Sequence, residues 1–168
     1  MGYTHYFQLN KTDNNIKKNF YAASVEFERL YHKMQNFNSL QLDKYSHYYH
    51  DKIKIFDGMG IGSPIITSKN IIFNGDDSKD LSLETFFVHI NELPYMNFCK
   101  TERKPYDFAV CVCLLCLSSC IKDFRFTSDG DYLDWNYALK WYSRHSVYNI
   151  PQWVYDYFNI THKFKYKK

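Results

Sequence analysis

The stretch from Asp107 to Cys120 reads DFAVCVCLLCLSSC, and this stretch decides the fold. Pro105 lies just before it and suits the first turn of a helix, because the N–H that proline lacks would be unpaired there anyway. Almost every following position is apolar, so the predicted helix has no polar face and we expect it to be buried on all sides. Its apolar run, Phe108–Leu117, is about half the length of a membrane span. The stretch therefore predicts a central core helix with other elements packed around it.

The segments around this helix show two periodicities. Apolar residues recur at three- and four-residue steps from Ile16 to Met34 and predict an amphipathic helix, and a third helix is predicted from Tyr132 to His145. Short segments rich in β-branched and aromatic residues predict strands. These segments are Tyr3–Leu9, Lys52–Phe56, Ile65–Thr67, Ile71–Phe73, Thr85–Ile90 and Phe124–Thr127. We predict an α+β fold in which an antiparallel sheet of about four to five strands packs with about three helices, one of them buried and central.

The composition fits one folded domain. The chain has 168 residues, 45% of them hydrophobic, so we predict a single domain over residues 1–168 with a frayed basic tail at 160–168. The net charge of +3 is too small to indicate a specific nucleic-acid partner. The N-terminus lacks the apolar run of a signal peptide, so we expect a cytoplasmic protein with no membrane partner. A homo-oligomer is compatible with this composition.

The five cysteines are candidates for a metal site or for disulfides. Their odd number argues against a disulfide framework. Cys113, Cys116 and Cys120 share one face of the predicted central helix, but no CxxC or HxxxH partner motif lies elsewhere in the sequence. Buried cysteine behaves as a small hydrophobic residue. We therefore predict core cysteines, no metal site and no cofactor.

Four polar residues just before the central helix form the strongest candidate binding segment. Lys100, Thr101, Arg103 and Lys104 bring three cations and a hydroxyl to a helix start, where unpaired N–H groups already favour an anion. Arg103 is the best single candidate, because a guanidinium can hold a phosphate through paired donors. The alternative is that the cations pair with carboxylates of the chain, such as Glu102. Both interpretations stay open at this point.

Aromatic residues supply the second half of the candidate site. Tyr3, His5 and Tyr6 lie on the first predicted strand, and Trp135 lies on the inner face of the predicted third helix. Their rings could stack on a flat ligand or contact a base.

Two further patterns are weaker indications of a binding site. His47 and His50 lack a third metal ligand, and the glycines of the loop Gly58–Gly62 lack the flanking residues of a Walker or Rossmann motif.

Five motifs follow one another in order along the chain. They are GYTHYF at Gly2–Phe7, FNG at Phe73–Gly75, ETF at Glu84–Phe86, FCKTERKPYD at Phe98–Asp107 and TSDGDYLDW at Thr127–Trp135. Together they resemble a family of small, mostly uncharacterised phage and bacterial proteins that carry GYTHYW, FNG, HETF, FCKTxRKPYD and SSDGxWxDW. Phe7 stands where the family has Trp, and Leu83 stands where it has the His of HETF. The second departure favours binding over chemistry that depends on that His.

The resemblance to phage proteins implies a role in evading host immunity. A phage setting raises one class of role, that of small proteins that defeat bacterial immunity by sequestering nucleotide second messengers. Such a role needs phosphate-binding cations and aromatic stacking surfaces. We expect a non-enzymatic, anti-defence binder of an anionic nucleotide-like molecule, such as a cyclic nucleotide or an ADP-ribose derivative, in the host cytoplasm. Two alternatives remain. One is a hydrolase with His5 as acid or base, oriented by Asp107 or Asp129, and the other is a protein–protein inhibitor of a host defence factor.

Overall fold

The computed structural model describes residues 2–36, 53–161 and 163–164. Within these ranges the chain forms four α-helices, one 3-10 turn at Asp77–Lys79 and six strands. The helices are α1 (Ile16–Asn36), α2 (Asp107–Cys120), α3 (Tyr132–His145) and α4 (Gln152–Tyr157). The strands are β1 (Thr4–Leu9), β2 (Ile65–Ile66), β3 (Asn70–Phe73), β4 (Phe86–His89), β5 (Asn97–Lys100) and β6 (Phe124–Ser128). The predicted α+β class is confirmed.

Helix α2 is the central core helix that its sequence predicts. Every residue from Asp107 to Ser118 is buried, so the helix contacts protein on all sides. Helix α1 packs against it through an apolar face, in which Phe20, Phe27 and Leu30 are fully buried. Helix α3 packs on it from another side. The five cysteines are free, and those of α2 lie in the core apart from the half-buried Cys120.

The strands form two small antiparallel sheets and not the single sheet of four to five strands that the sequence predicts. One sheet has the order β5-β1-β6 and the other has the order β2-β3-β4. The two sheets approach each other between β4 and β5, where the Glu84 amide donates to the Lys100 carbonyl at 3.4 Å. That contact lies before the start of β4 and does not extend into a ladder. Of the predicted strand Lys52–Phe56, Lys52 lies outside the described residues, and the remainder forms a single bridge between Phe56 and Asn74.

A layer of aromatic rings joins the two sheets on their core side. The Phe7 ring of β1 lies 5.3 Å from the Phe86 ring of β4, and Phe86 in turn lies 4.9 Å from Phe73 of β3. Phe73 stacks on Phe27 of α1 at 5.4 Å. Rings this close and offset attract each other in addition to burying area. The layer therefore holds α1 and both sheets in one core.

The segment Asp129–Asp134 is a turn and helix cap. The Asp131 side chain accepts from the Leu133 and Asp134 amides, and the Asp134 side chain accepts from the Asp131 amide, which is a capping box. The cap fixes the start of α3, and this helix turns Trp135 and Tyr142 into the core.

Among the helices described by the structure, none is both long enough and apolar enough to cross a membrane. The His47 and His50 pair and the predicted loop 36–51 lie outside the described residues, apart from Asn36 at the end of α1.

Candidate functional site

Strand β1 sends its side chains alternately to the core and to solvent, as a strand must. Tyr3, His5 and Phe7 point inward and are at most 1% exposed, whereas Tyr6 points outward and is 37% exposed. The sequence-predicted site residues of this strand therefore lie on opposite faces of the sheet. They divide the candidate site into a buried cluster and an outer surface.

The buried cluster is built around the Asp107 carboxylate at the first position of α2. Its Oδ1 atom lies 2.7 Å from Nε2 of His5 and 2.5 Å from the hydroxyl of Thr101, and all three residues are fully buried. A carboxylate at the start of a helix is also favoured by the helix dipole. Asp107 thus joins β1, the loop after β5 and α2 at one point. The contact brings His5 together with Asp107, one of the two acids that the sequence suggests as its partner, an arrangement that sequence spacing alone does not demonstrate.

Cys111 completes the cluster one helical turn after Asp107. Its Sγ atom lies 4.0 Å from Nε2 of His5 and 3.8 Å from Oδ2 of Asp107. Burial raises the pKa of the Cys111 thiol well above its ordinary value, and the Asp107 carboxylate raises it further. The thiol is therefore protonated at neutral pH in the structure as it stands.

Two aromatic rings enclose the imidazole of His5. Tyr3 and Trp135 contact it edge-to-face, with ring centroids at 5.1 and 5.4 Å. Burial raises the pKa of the Tyr3 hydroxyl, and the neighbouring Cys111 and Asp107 raise it further. Nδ1 of His5 and Nε1 of Trp135 are buried and have no hydrogen-bond partner among the residues that the structure describes. Buried polar atoms of this kind are uncommon in native proteins and call for an explanation.

Arg103 covers the buried cluster from outside. Its guanidinium lies 4.1 Å from the centre of the Tyr3 ring and donates to both carboxylate oxygens of Asp134 on α3, at 2.9 and 3.3 Å. Glu102 and Arg103 both adopt the left-handed conformation, with φ of 50° and 57°. Non-glycine residues adopt this conformation at a cost of about 1–3 kcal/mol each, and such residues cluster at functional sites. The loop therefore holds the guanidinium over Tyr3 with a strained backbone at Glu102 and Arg103.

The other two cations of the segment are also paired. The Lys100 ammonium lies 3.0 Å from the Glu102 carboxylate. The Lys104 ammonium donates to the carbonyls of Asp80 and Ser82 at 2.9 and 2.7 Å, so it points away from the cluster. The Lys104 ammonium also lies 3.5 Å from the Asp80 carboxylate, so all three cations have carboxylate partners, which is the alternative that the sequence left open. Whether an anion displaces these partners stays a prediction.

The outer surface lies on the solvent face of the β5-β1-β6 sheet. Tyr6 and Phe98 are register partners on β1 and β5, so their side chains leave the same face side by side. Phe98 is 59% exposed, and Lys100, two residues further along β5, has a side chain that is 39% exposed. Lys100 and Tyr6 are therefore diagonal neighbours, within reach of one small ligand. Phe98 was not predicted as a site residue, although its place opposite Tyr6 follows once β5 is known.

The glycine loop Gly58–Gly62 is not arranged to receive a phosphate. Oδ1 of Asp57 accepts from the amides of Met59 and Ile61 at 2.9 and 3.2 Å. These backbone bonds, that from Ile61 foremost, keep the pKa of Asp57 below its ordinary value. The chain's own carboxylate therefore binds amide groups that a phosphate would need.

We expect Arg103→Ala to lower the free energy of unfolding by about 1 kcal/mol, because it removes a half-exposed ion pair and a cation–π contact. Urea denaturation at low and moderate salt measures this loss. Arg103→Lys is the matched variant, and it should recover little because lysine cannot form the paired bonds to Asp134. Wild-type stability in Arg103→Ala would show that the Arg103 contacts contribute nothing to the free energy of unfolding.

Of the eight residues predicted for the site, five lie together on the buried side, namely Tyr3, His5, Thr101, Arg103 and Trp135. Tyr6 and Lys100 lie on the outer surface, and Lys104 belongs to neither group. The stacking predicted for Tyr3 and Trp135 would require the Arg103 cover to open. In comparisons with known proteins, no family model, no curated protein and no solved structure matches this chain.

Proposed function

We propose that this protein binds and sequesters an anionic nucleotide-like small molecule on the outer surface formed by Tyr6, Phe98 and Lys100. The observation that carries the proposal is the pair of exposed aromatic rings opposite each other on neighbouring strands, beside an exposed ammonium group. Exposed rings on a sheet face are a common platform for nucleobases, since every base has a flat face to stack. The ammonium supplies the partner for a phosphate.

The geometry favours a ligand that combines a ring and a phosphate. Directly opposite residues have Cβ atoms about 4.5–5.5 Å apart, and diagonal ones about 7–8 Å apart. A base stacked on Tyr6 or Phe98 therefore places its phosphate near Lys100. The Lys100–Glu102 pair is exposed, and exposed pairs contribute only about 0–1 kcal/mol. A phosphate can therefore replace the carboxylate at little cost.

The charges around the surface limit the expected affinity. Besides Glu102, a second carboxylate lies at this surface, because Glu84 accepts a hydrogen bond from the backbone amide of Lys100 at 2.7 Å. The Glu102 carboxylate on the Lys100 ammonium and the Glu84 carboxylate on the Lys100 backbone amide both add negative charge, which weakens the attraction of this surface for an anion. We therefore expect stacking to contribute at least as much as charge, at about 1–3 kcal/mol per base.

Sequestration without turnover is supported by where the acid–base groups lie. His5, Asp107 and Cys111 are fully buried on the opposite face of the sheet from Tyr6. A ligand on the outer surface cannot reach them. The phage resemblance supports the further proposal that the ligand is a bacterial immune signal, a cyclic nucleotide or an ADP-ribose derivative, captured in the host cytoplasm.

The test is to incubate the protein with lysate that contains nucleotide immune signals, wash it, and analyse heat-released molecules by mass spectrometry. We expect intact nucleotide in near-equal amount to protein, and at least a tenfold lower yield from Phe98→Ala or Tyr6→Ala because each loses a stacking ring. Tyr21→Ala removes an equally exposed ring from α1 and is the matched control.

The same variants also show whether the ligand binds at the outer surface or beside Arg103 at the buried cluster. Loss of capture in Arg103→Ala, with capture intact in Phe98→Ala, would move the site to the Arg103 side and contradict the outer surface. No capture by wild-type protein would reject the small-molecule proposal and turn the search to a host protein partner.

A hydrolase is the second candidate, and the His5–Asp107 contact of 2.7 Å favours it. An imidazole held by a carboxylate is the arrangement of a general base. Its use in catalysis requires the Arg103 cover to open, since His5 is fully buried. Product accumulating in catalytic excess over protein during a time course, and lost in His5→Gln, would establish the hydrolase and end the sequestration proposal.

A further inference from the structure

We propose that His5, Asp107 and Cys111 form a zinc-binding site. The three side chains are fully buried, and one potential ligand atom from each lies within 4.8 Å of the other two. Imidazole nitrogen, carboxylate oxygen and thiolate sulfur are the three donor types that proteins use for Zn²⁺. This site lies on the other side of the sheet from the surface proposed for nucleotide binding and does not depend on that proposal.

The distances fit one ion with little movement. Tetrahedral zinc bonds of about 2.0–2.3 Å place ligand atoms roughly 3.3–3.8 Å apart. Sγ of Cys111 already lies 3.8 Å from Oδ2 of Asp107 and 4.0 Å from Nε2 of His5. Binding replaces the 2.7 Å contact between Nε2 of His5 and Oδ1 of Asp107, so these two groups separate by a few tenths of an ångström.

The backbone fixes the three donors before any ion binds. Asp107 and Cys111 are four residues apart on α2, so they share one face of the helix. His5 faces them from β1, the central strand of its sheet. The Thr101 hydroxyl donates to Oδ1 of Asp107 and so holds the carboxylate in place. Hydrogen bonds of this kind orient the ligands of known metal sites.

The charges of the loaded site balance. One Zn²⁺, one thiolate and one carboxylate sum to zero, which suits a site whose ligands are fully buried. On binding, the Cys111 thiol loses its proton to solvent. The proton of the bond between Nε2 of His5 and Asp107 moves to Nδ1, so that the neutral imidazole binds the metal through Nε2. Metals deprotonate a coordinating thiol outright, even one whose environment favours the protonated form. A water fills the fourth position, as in zinc sites with three protein ligands.

The experiment uses the whole chain, kept reduced with a non-thiol reductant. Protein is equilibrated with Zn²⁺ or Co²⁺, freed of loose metal by gel filtration, and analysed for metal per chain and for absorption. We expect about one zinc per chain and, with Co²⁺, the charge-transfer absorption of a thiolate ligand. Cys111→Ser should lose that absorption and at least nine-tenths of the metal. Cys113→Ser, a buried cysteine two residues along the same helix, should keep both.

Folding of each variant is checked by circular dichroism, because unfolded chains bind metal through exposed cysteines. If Cys111→Ser does not fold, the proposal is tested by the cobalt spectra of the wild type and of Cys113→Ser, both of which should show thiolate absorption. The proposal fails if folded wild-type protein shows no thiolate absorption with Co²⁺. It also fails if the absorption survives in Cys111→Ser or disappears in Cys113→Ser. Any of these results would leave His5 and Asp107 as a structural hydrogen-bonded pair.

Discussion

Asp107→Ala should lower the free energy of unfolding by about 3–5 kcal/mol, because it removes a buried carboxylate that accepts two hydrogen bonds, and bonds to a charged group contribute about 1.5–3 kcal/mol each. The wild-type carboxylate contacts His5 at 2.7 Å and Thr101 at 2.5 Å, and none of the three is exposed. The substitution leaves the imidazole and the hydroxyl buried without the group that they bind. It also removes a negative charge from the start of α2, where the helix dipole favours one.

Urea denaturation at neutral pH with a chelator measures this loss without any contribution from bound metal. Asp156→Ala, at an exposed position of α4, is the control and should change stability by less than about 0.5 kcal/mol. Asp107→Asn should cost less than Asp107→Ala, because the amide oxygen still accepts one hydrogen bond.

A double-mutant cycle with His5→Ala separates the pair from its surroundings. If the two residues stabilise each other, the double variant should be more stable than the sum of the single losses predicts, by about 1–3 kcal/mol. Additive losses would mean that the contact between His5 and Asp107 contributes no coupling free energy. In that case Asp107 would act mainly through Thr101 and the helix start.

The helices and the fold class could be predicted because their patterns are long and local. The apolar run of α2 and the periodicity of α1 each extend over several turns, and both helices formed as expected. The division into two sheets depends on whether β4 and β5 pair. A residue pattern within each strand does not reveal its neighbour, because ladders join residues far apart in the chain. Strand β5 was not predicted, because its four residues NFCK are too few to show a clear alternation of apolar and polar side chains.

The candidate site was predictable only as a set of residue types. The sequence placed the segment Lys100–Lys104 and the aromatic residues of the first strand in one site, and in the structure Thr101 and His5 both contact Asp107. Cys111 was assigned to the core alone, since its two partners lie 4 and 106 residues away and form no spacing motif. The exposure of Tyr6 and Phe98 follows from the β1–β5 register, which only the structure supplies.

Glu26 of α1 provides the second large effect, because it is 3% exposed and satisfied by four hydrogen bonds. It accepts two from Arg29, at 2.9 and 2.7 Å, and it accepts from the Ser146 hydroxyl and the Val147 amide at 2.8 and 3.0 Å. These bonds tie α1 to the chain after α3. Glu26→Gln replaces one accepting oxygen with an NH₂ group that faces donors, so we expect a loss of about 3 kcal/mol at neutral pH.

The same carboxylate makes the stability sensitive to acid. Burial raises the pKa of Glu26, but the bonds from Arg29, Val147 and Ser146 outweigh it and keep the pKa below the ordinary value. A lowered folded-state pKa means that the unfolded chain binds the proton more readily. The stabilisation is therefore present above the unfolded pKa of about 4.3 and is lost as pH falls through the folded value.

The difference in stability between wild type and Glu26→Gln should accordingly narrow as pH falls from 7 towards 3, because the wild type loses its advantage while the variant has no proton to gain at this position. Urea denaturation at a series of pH values follows this difference directly. Glu28→Gln, two residues along the same helix and exposed, is the control and should track the wild type throughout. A constant difference across the range would contradict the prediction, since it would mean that Glu26 stabilises the fold through packing and not through its charge.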